Sequence, residues 1–271
     1  MRTMAARALF VALLVGLLIA CLAAGPVSAR REPVRLIDRD VEDCEENVPV
    51  ATAANLVDPG GANIDLNVLV LLDGITRPDA EAIVSTAAES YAPLDIKLLA
   101  TYKRFVAPPD PSAPPSLPTQ SASAAMLISD AKKAVGGQRP SATDAVYLLT
   151  SRDISVNGDT GGAGYADCIG GIRYPTRAFA VGEGTEEIIS FGGLNFYVDG
   201  PAKILSHEIG HLLGAHHHYS NCVQGASLGD VAGRDPSPCT VMTENLDLQD
   251  LLFGSFEAIV VRGHAESFAR P

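Results

Sequence analysis

His207-Glu208-Ile209-Gly210-His211-Leu212-Leu213-Gly214-Ala215-His216-His217 is the stretch on which the reading of this 271-residue chain turns. On a helix, positions i and i+4 lie one above the other on a single face, so His207 and His211 can aim their imidazoles at one ion. Glu208 sits beside them as a carboxylate able to take a proton from an activated water. Gly214 can end the helix in a left-handed conformation that costs glycine little, and the chain then turns back to bring in His217. Three neutral imidazoles leave a fourth tetrahedral position open, which separates a catalytic zinc site from a structural one. A solvated, histidine-rich helix end is the plain alternative, but it needs neither the glycine nor the third histidine at these offsets. His216 and His218 flank that third position, and the spacing selects His217. Upstream, Ile204, Leu205, Ile209, Leu212 and Leu213 form an apolar side, and Asp199-Gly200-Pro201 is a helix start signal.

With this extended motif, and with Val241-Met242-Thr243 downstream of it, the chain resembles the metzincin zinc endopeptidases, in which a methionine turn lies below the metal. Cys222 and Cys239 flank the intervening segment, and here the likeness is closest to the reprolysin (adamalysin) group; His218 stands where reprolysins usually carry aspartate. The resemblance extends over roughly residues 62–268 and is strongest over 198–245. It implies an α/β (α+β) zincin domain: a twisted, mostly parallel sheet with an antiparallel edge strand, a catalytic helix beneath the cleft and a small C-terminal subdomain after the third histidine. One catalytic Zn2+ is implied on His207, His211 and His217, with Glu208 as catalytic residue, Gly214 and Met242 as structural residues, and an extended peptide or protein as substrate. The glycine-rich run 161–171 would be the edge strand above the cleft, where free backbone groups pair with substrate. Read from its composition alone, the same run could be a loop. No tyrosine follows Met242 closely, so a second oxyanion donor is not identified.

Outward from the motif, residues 64–72 alternate and then run apolar, which predicts a strand buried on both faces. Pro78 opens a helix over 78–90 with Ala80, Ile83, Val84 and Ala87 on its apolar side, and 94–106 reads as a second strand. That order implies a right-handed crossover between parallel strands. A proline-rich connection covers 108–118, a helix 121–135, a third core strand 145–150 and a further strand 178–181. Phe253, Phe256, Ile259 and Val260 stand at helical spacing and predict a closing helix packed on the domain, with His264 outside the motif as a packing or surface residue.

Residues 1–29 have a basic start, an apolar run and small residues before Arg30, the pattern of a secretory signal. Leu18-Ile19-Ala20-Cys21 also resembles a bacterial lipobox, so an extracellular protein and a cell-envelope lipoprotein anchored at Cys21 are both expected alternatives. Residues 30–61 read as an extension or short pro-segment, and 62–271 as the metalloprotease domain. Cys21 aside, four cysteines remain, an even number suited to an oxidising compartment. Of the three possible pairings, Cys222–Cys239 would staple the loop beside the metal for about 3 kcal/mol, which leaves Cys44–Cys168; the alternative for Cys44 is a free thiol able to cap the metal. A net charge of −12 argues against nucleic acid or an anionic membrane as partner. A monomer is expected. Two other functions stay open: a secreted zinc-binding or adhesive protein without turnover, which the presence of Glu208 disfavours, and a zinc amidase acting on cell-wall peptides.

Overall fold

Ile64–Asp73 (β1) alternates at first and is apolar on both faces from Val68 to Leu72, where core clusters lie on both sides of it. The structure is a computed structural model that describes residues 41–44, 63–106, 122–156, 163–185, 188–191, 194–197, 199–217, 222–223, 237–243 and 251–269, with the backbone alone for 188–197, 222–223 and 237–238. The signal-like segment with Cys21, most of the extension, the 108–118 connection and His218 lie outside the described residues.

The helices are Arg77–Tyr91 (α1), Ala124–Ala134 (α2), Gly200–Leu212 (α3) and Ser255–Phe268 (α4). Ile96–Arg104 (β2), Ala145–Thr150 (β4), Gly164–Ala166 (β6) and Phe179–Glu183 (β7) join β1 in a five-stranded sheet of order β2-β1-β4-β7-β6. The pairs β1–β2, β1–β4 and β4–β7 are parallel, and β6 runs antiparallel to β7 at the edge. Short pairs complete the set: Ala122–Ser123 (β3) with Ile154–Ser155 (β5), Ile188–Phe191 (β8) with Leu194–Tyr197 (β9), and Cys222–Val223 (β10) with Ser237–Pro238 (β11).

Strand alternation sorts the core into two layers. Leu66, Val68, Val70, Tyr147, Leu149, Ala166 and Ala180 face α1, α3 and α4, whereas Leu71, Val146, Leu148, Phe179 and Val181 face α2. Thr76 caps α1 through its side-chain oxygen, with Pro78 in the first turn. Tyr91, at the other end of α1, donates its hydroxyl to Ser206 O at 2.8 Å, and Ser206 Oγ donates to Ala87 O at 3.2 Å. This buried polar seam fixes α3 against α1 one residue before His207.

Several expected boundaries move. β2 starts at Ile96, because Ala92–Leu94 forms a single 3-10 turn and Asp95 takes a positive φ of 54°. The helix expected over 121–135 is Ala124–Ala134, since Ala122 and Ser123 pair with β5 instead. The edge strand is only three residues long, antiparallel as the resemblance implies. The closing helix forms but is rotated. Phe256 is 76% exposed and Ile259 41%, while Val261, His264 and Ala265 are buried. The physical reason is Glu257: it accepts from Gly254 N at the helix start and from Thr240 Oγ1 at 3.2 Å, which turns its own face inward.

Candidate metal centre

α3 ends one residue after His211, in a geometry that only glycine supplies cheaply. Gly214 has φ +88°, its N–H donates to His211 O at 2.8 Å, and Ala215 N donates to Gly210 O at 3.0 Å. These two bonds are the Schellman pattern at a helix C-terminus. Glycine is required there twice over, because an added Cβ would also lie 2.5 Å from His264 Cε1. The reversal returns His217 toward the helix.

The three predicted ligands meet. His207, His211 and His217 are buried, and their Nε2 atoms stand 3.0, 3.2 and 3.2 Å apart. His207 Nδ1 lies 2.7 Å from Val241 O, and His211 Nδ1 lies 2.7 Å from Ala215 O. A carbonyl can only accept, so both Nδ1 atoms carry a proton, and in the neutral rings both Nε2 atoms present lone pairs. Lone pairs converging this closely repel unless a cation lies among them. Four-coordinate zinc with Zn–N of about 2.0–2.1 Å needs nitrogens about 3.3 Å apart. The donor set therefore fits zinc, and among the described residues it is the one such cluster.

The remaining expected residues fall around this triad. Met242 is fully buried in the turn after Val241, and a Cβ on Gly210, between the two helical histidines, would lie 2.8 Å from its Sδ. Glu208 is fully buried beside His207 on α3. His216 points outward to Asp43, 3.2 Å away, whereas His217, the histidine that the spacing selects, joins His207 and His211. His264 packs behind Gly214, outside the ligand set, and burial pushes its imidazole below the usual pKa. Cys44 is bonded to Cys168 rather than free, and Asp43 bridges to Ile169 beside it. Cys239 is disulfide-bonded and follows β11 directly; Cys222 begins the neighbouring β10, with its side chain outside the described residues.

Two groups escaped the sequence reading. Tyr147 is fully buried and its hydroxyl has no hydrogen-bond partner among the described residues. Burial, and then the nearby Glu208 carboxylate, raise the Tyr147 phenol well above its usual pKa. A buried tyrosine inside an apolar strand leaves no sequence signal of this kind. The second is Gly164. Glycine within a strand signals close approach of something else, and that signal was present.

The profile of the metallopeptidase family M12B, reprolysin-like, matches residues 79–218, just over half of the chain. The chain belongs to the reprolysin-like metallopeptidases. No curated protein matches it. Among solved structures, archaemetzincin from Methanopyrus kandleri is similar at a TM-score of 0.50 and 21% identity, over 74% of this chain and 96% of that one. At that identity the likeness speaks for the fold. As a reprolysin-like protein the chain is a zinc metallopeptidase, and its substrates are peptides or proteins.

Proposed function

We propose that this reprolysin-like chain hydrolyses peptide bonds with one zinc held by His207, His211 and His217 and with Glu208 as general base. The observation that carries the proposal is the triangle of Nε2 atoms 3.0–3.2 Å apart with Glu208 next in line on the same helix. Zinc, when bound, would acidify a water and polarise the scissile carbonyl. Val241 O and Ala215 O hold the first two imidazoles in the tautomer that leaves Nε2 free to ligate. Met242 and Phe253 pack against the helix at Gly210 and keep the two ligands from shifting. Glu208 accepts the proton of the attacking water and returns it to the leaving amine. β6, the last strand of the sheet among the described residues, would pair with an extended substrate, which gives affinity with little demand on side chains.

The same reading places the protein outside the cytoplasm, supported by the Cys44–Cys168 bond and by the signal-like segment over residues 1–29. The N-terminus of the mature protein distinguishes the two routes: Arg30 for simple secretion, a lipidated Cys21 for anchoring.

Glu208→Gln tests the chemistry. Gln nearly preserves volume and leaves the histidines untouched, so the variant folds and binds one zinc. General acid–base catalysis contributes about 10²–10⁴-fold, and kcat falls by at least the upper part of that range. Wild-type turnover in zinc-loaded Glu208→Gln, insensitive to a chelator, would refute the reading.

A further inference from the structure

Gly164 and Gly182 are direct partners in the antiparallel pairing of β6 with β7. Directly opposed residues in such a pair present their side-chain positions on one face of the sheet. Here that face is the one under α3. A Cβ on Gly164 would lie 2.6 Å from Ile204 Cγ2, and a Cβ on Gly182 would lie 2.7 Å from the same atom. The two glycines together let α3 sit directly on the edge of the sheet.

Beyond Ile204 the two positions diverge. At Gly164 the added carbon would meet Glu208 Oε1 at 2.5 Å and Glu208 Cγ at 3.0 Å. At Gly182 it would collide with the Tyr147 hydroxyl and lie 2.9 Å from Tyr147 Cζ. Ile204 and Glu208 are one helical turn apart, so both face the sheet. The carboxylate of Glu208 is thus lodged over the bare Cα of Gly164. We infer that Gly164 is a positioning residue for Glu208: the missing side chain is the recess that holds the carboxylate beside the histidine triad.

Which neighbour yields to a side chain at 164 follows from stiffness. Ile204 is β-branched and held near one rotamer in the middle of a helix. Glu208 has three side-chain torsions, and its terminal oxygen is the nearest atom to the new carbon. An alanine at 164 therefore moves Glu208 before it moves the helix. The three atoms nearest to the new carbon belong to Glu208 and Ile204 and none to a histidine, so metal binding should be preserved while the base is misplaced. A misplacement of about 1 Å in a reacting group can cost about 10²-fold in rate.

The inference rests on Glu208 being the base, and the experiments keep the two ideas apart. Gly164→Ala and Gly182→Ala are compared, zinc-loaded, for zinc stoichiometry, KM and kcat on one peptide. Both crowd Ile204, but Glu208 is among the three atoms nearest to the new carbon in Gly164→Ala and not in Gly182→Ala. The expected result is one zinc in each, KM within about 3-fold of wild type, kcat down about 10- to 10²-fold in Gly164→Ala, and kcat within about 2-fold of wild type in Gly182→Ala. Wild-type kcat in Gly164→Ala overturns the inference, as does an equal loss in both variants, which would mean that the helix as a whole has moved. A rise in KM without a fall in kcat also overturns it, because Gly164 would then serve substrate binding. Should Gly164→Ala fail to fold, Glu208→Ala/Gly164→Ala decides: recovery of a folded, zinc-binding protein supports the recess, and continued misfolding assigns the clash to Ile204 and overturns it. An inactive Glu208→Gln beside a fully active Gly164→Ala would leave the catalytic reading standing and remove only this one.

Discussion

The centre of the sheet and its β6 edge solve opposite packing problems. At the centre, β1 and β4 fill space: Leu66, Val68, Val70, Leu148 and Leu149 are at most 2% exposed, and large side chains meet helices on both faces. At the edge, β6 and β7 make space: Gly164, Ala166, Ala180 and Gly182 offer almost no side chain toward α3, and the helix brings Glu208, Ile204 and Leu205 down onto them. A packed core tolerates substitution in proportion to the volume removed. A recess tolerates it in proportion to what is added. The proposed base lies on the second kind of surface, where a methyl group added at Gly164 would lie 2.5 Å from its carboxylate.

The largest effect that would sharpen this contrast comes from the centre. Leu148→Ala removes a fully buried side chain from the α2 face and should cost about 3 kcal/mol in urea unfolding, while kcat per folded molecule stays at wild type. A fall in kcat there would show that the two regions are not separable. The next effect comes from the edge. Gly182→Ala should cost about 2 kcal/mol through overpacking against Tyr147 and Ile204. Adding Tyr147→Phe removes the atom that the new carbon meets first, so the double variant should regain roughly half of that loss; strict additivity would break the argument. Tyr147→Phe by itself should be close to neutral or stabilising by up to about 1 kcal/mol, because it deletes a buried hydroxyl that has no hydrogen-bond partner among the described residues.

The last effect is a pH dependence at the turn behind the triad. Burial, reinforced by Arg173, lowers the pKa of His264, against the opposing pull of its bond to Val260 O. The folded protein therefore disfavours the protonated ring, and the unfolded chain takes up that proton first as pH falls through about 6.5. The stability contribution is complete above that pH and is lost below it. Unfolding free energy measured from pH 7 to pH 5 should fall more steeply in wild type than in His264→Leu; equal slopes would show that His264 is not the group responsible.

Most of the central architecture was legible from the residues in line. Apolar runs long enough to be covered on both faces mark β1 and β4, and the 3.6-residue spacing of Ala80, Ile83, Val84 and Ala87 marks α1, because these patterns report how much a segment must bury. The histidine cluster was legible for the same local reason: all three histidines lie within eleven residues, and helix pitch plus one glycine reversal determines where they point. The rotation of α4 was not. Phe256 and Ile259 have the right spacing for a buried face, but Glu257 is drawn inward by Thr240 and by the helix start, and a polar contact between distant segments overrode the hydrophobic pattern. The glycine-rich run was ambiguous between loop and strand, since glycine permits either and only its pairing partner chooses.

From the sequence alone came the candidate metal ligands, the candidate base, the glycine reversal and the parallel crossover between the first two strands, all of which depend on spacing within one element or between neighbours. Tertiary structure alone decided that Val241 O lies against His207 Nδ1, that Gly164 faces Gly182 and that Glu208 rests over Gly164. The physical reason is that periodicity encodes which face of a segment is buried. What lies against that face, and at what distance, is set by packing among residues far apart in the chain.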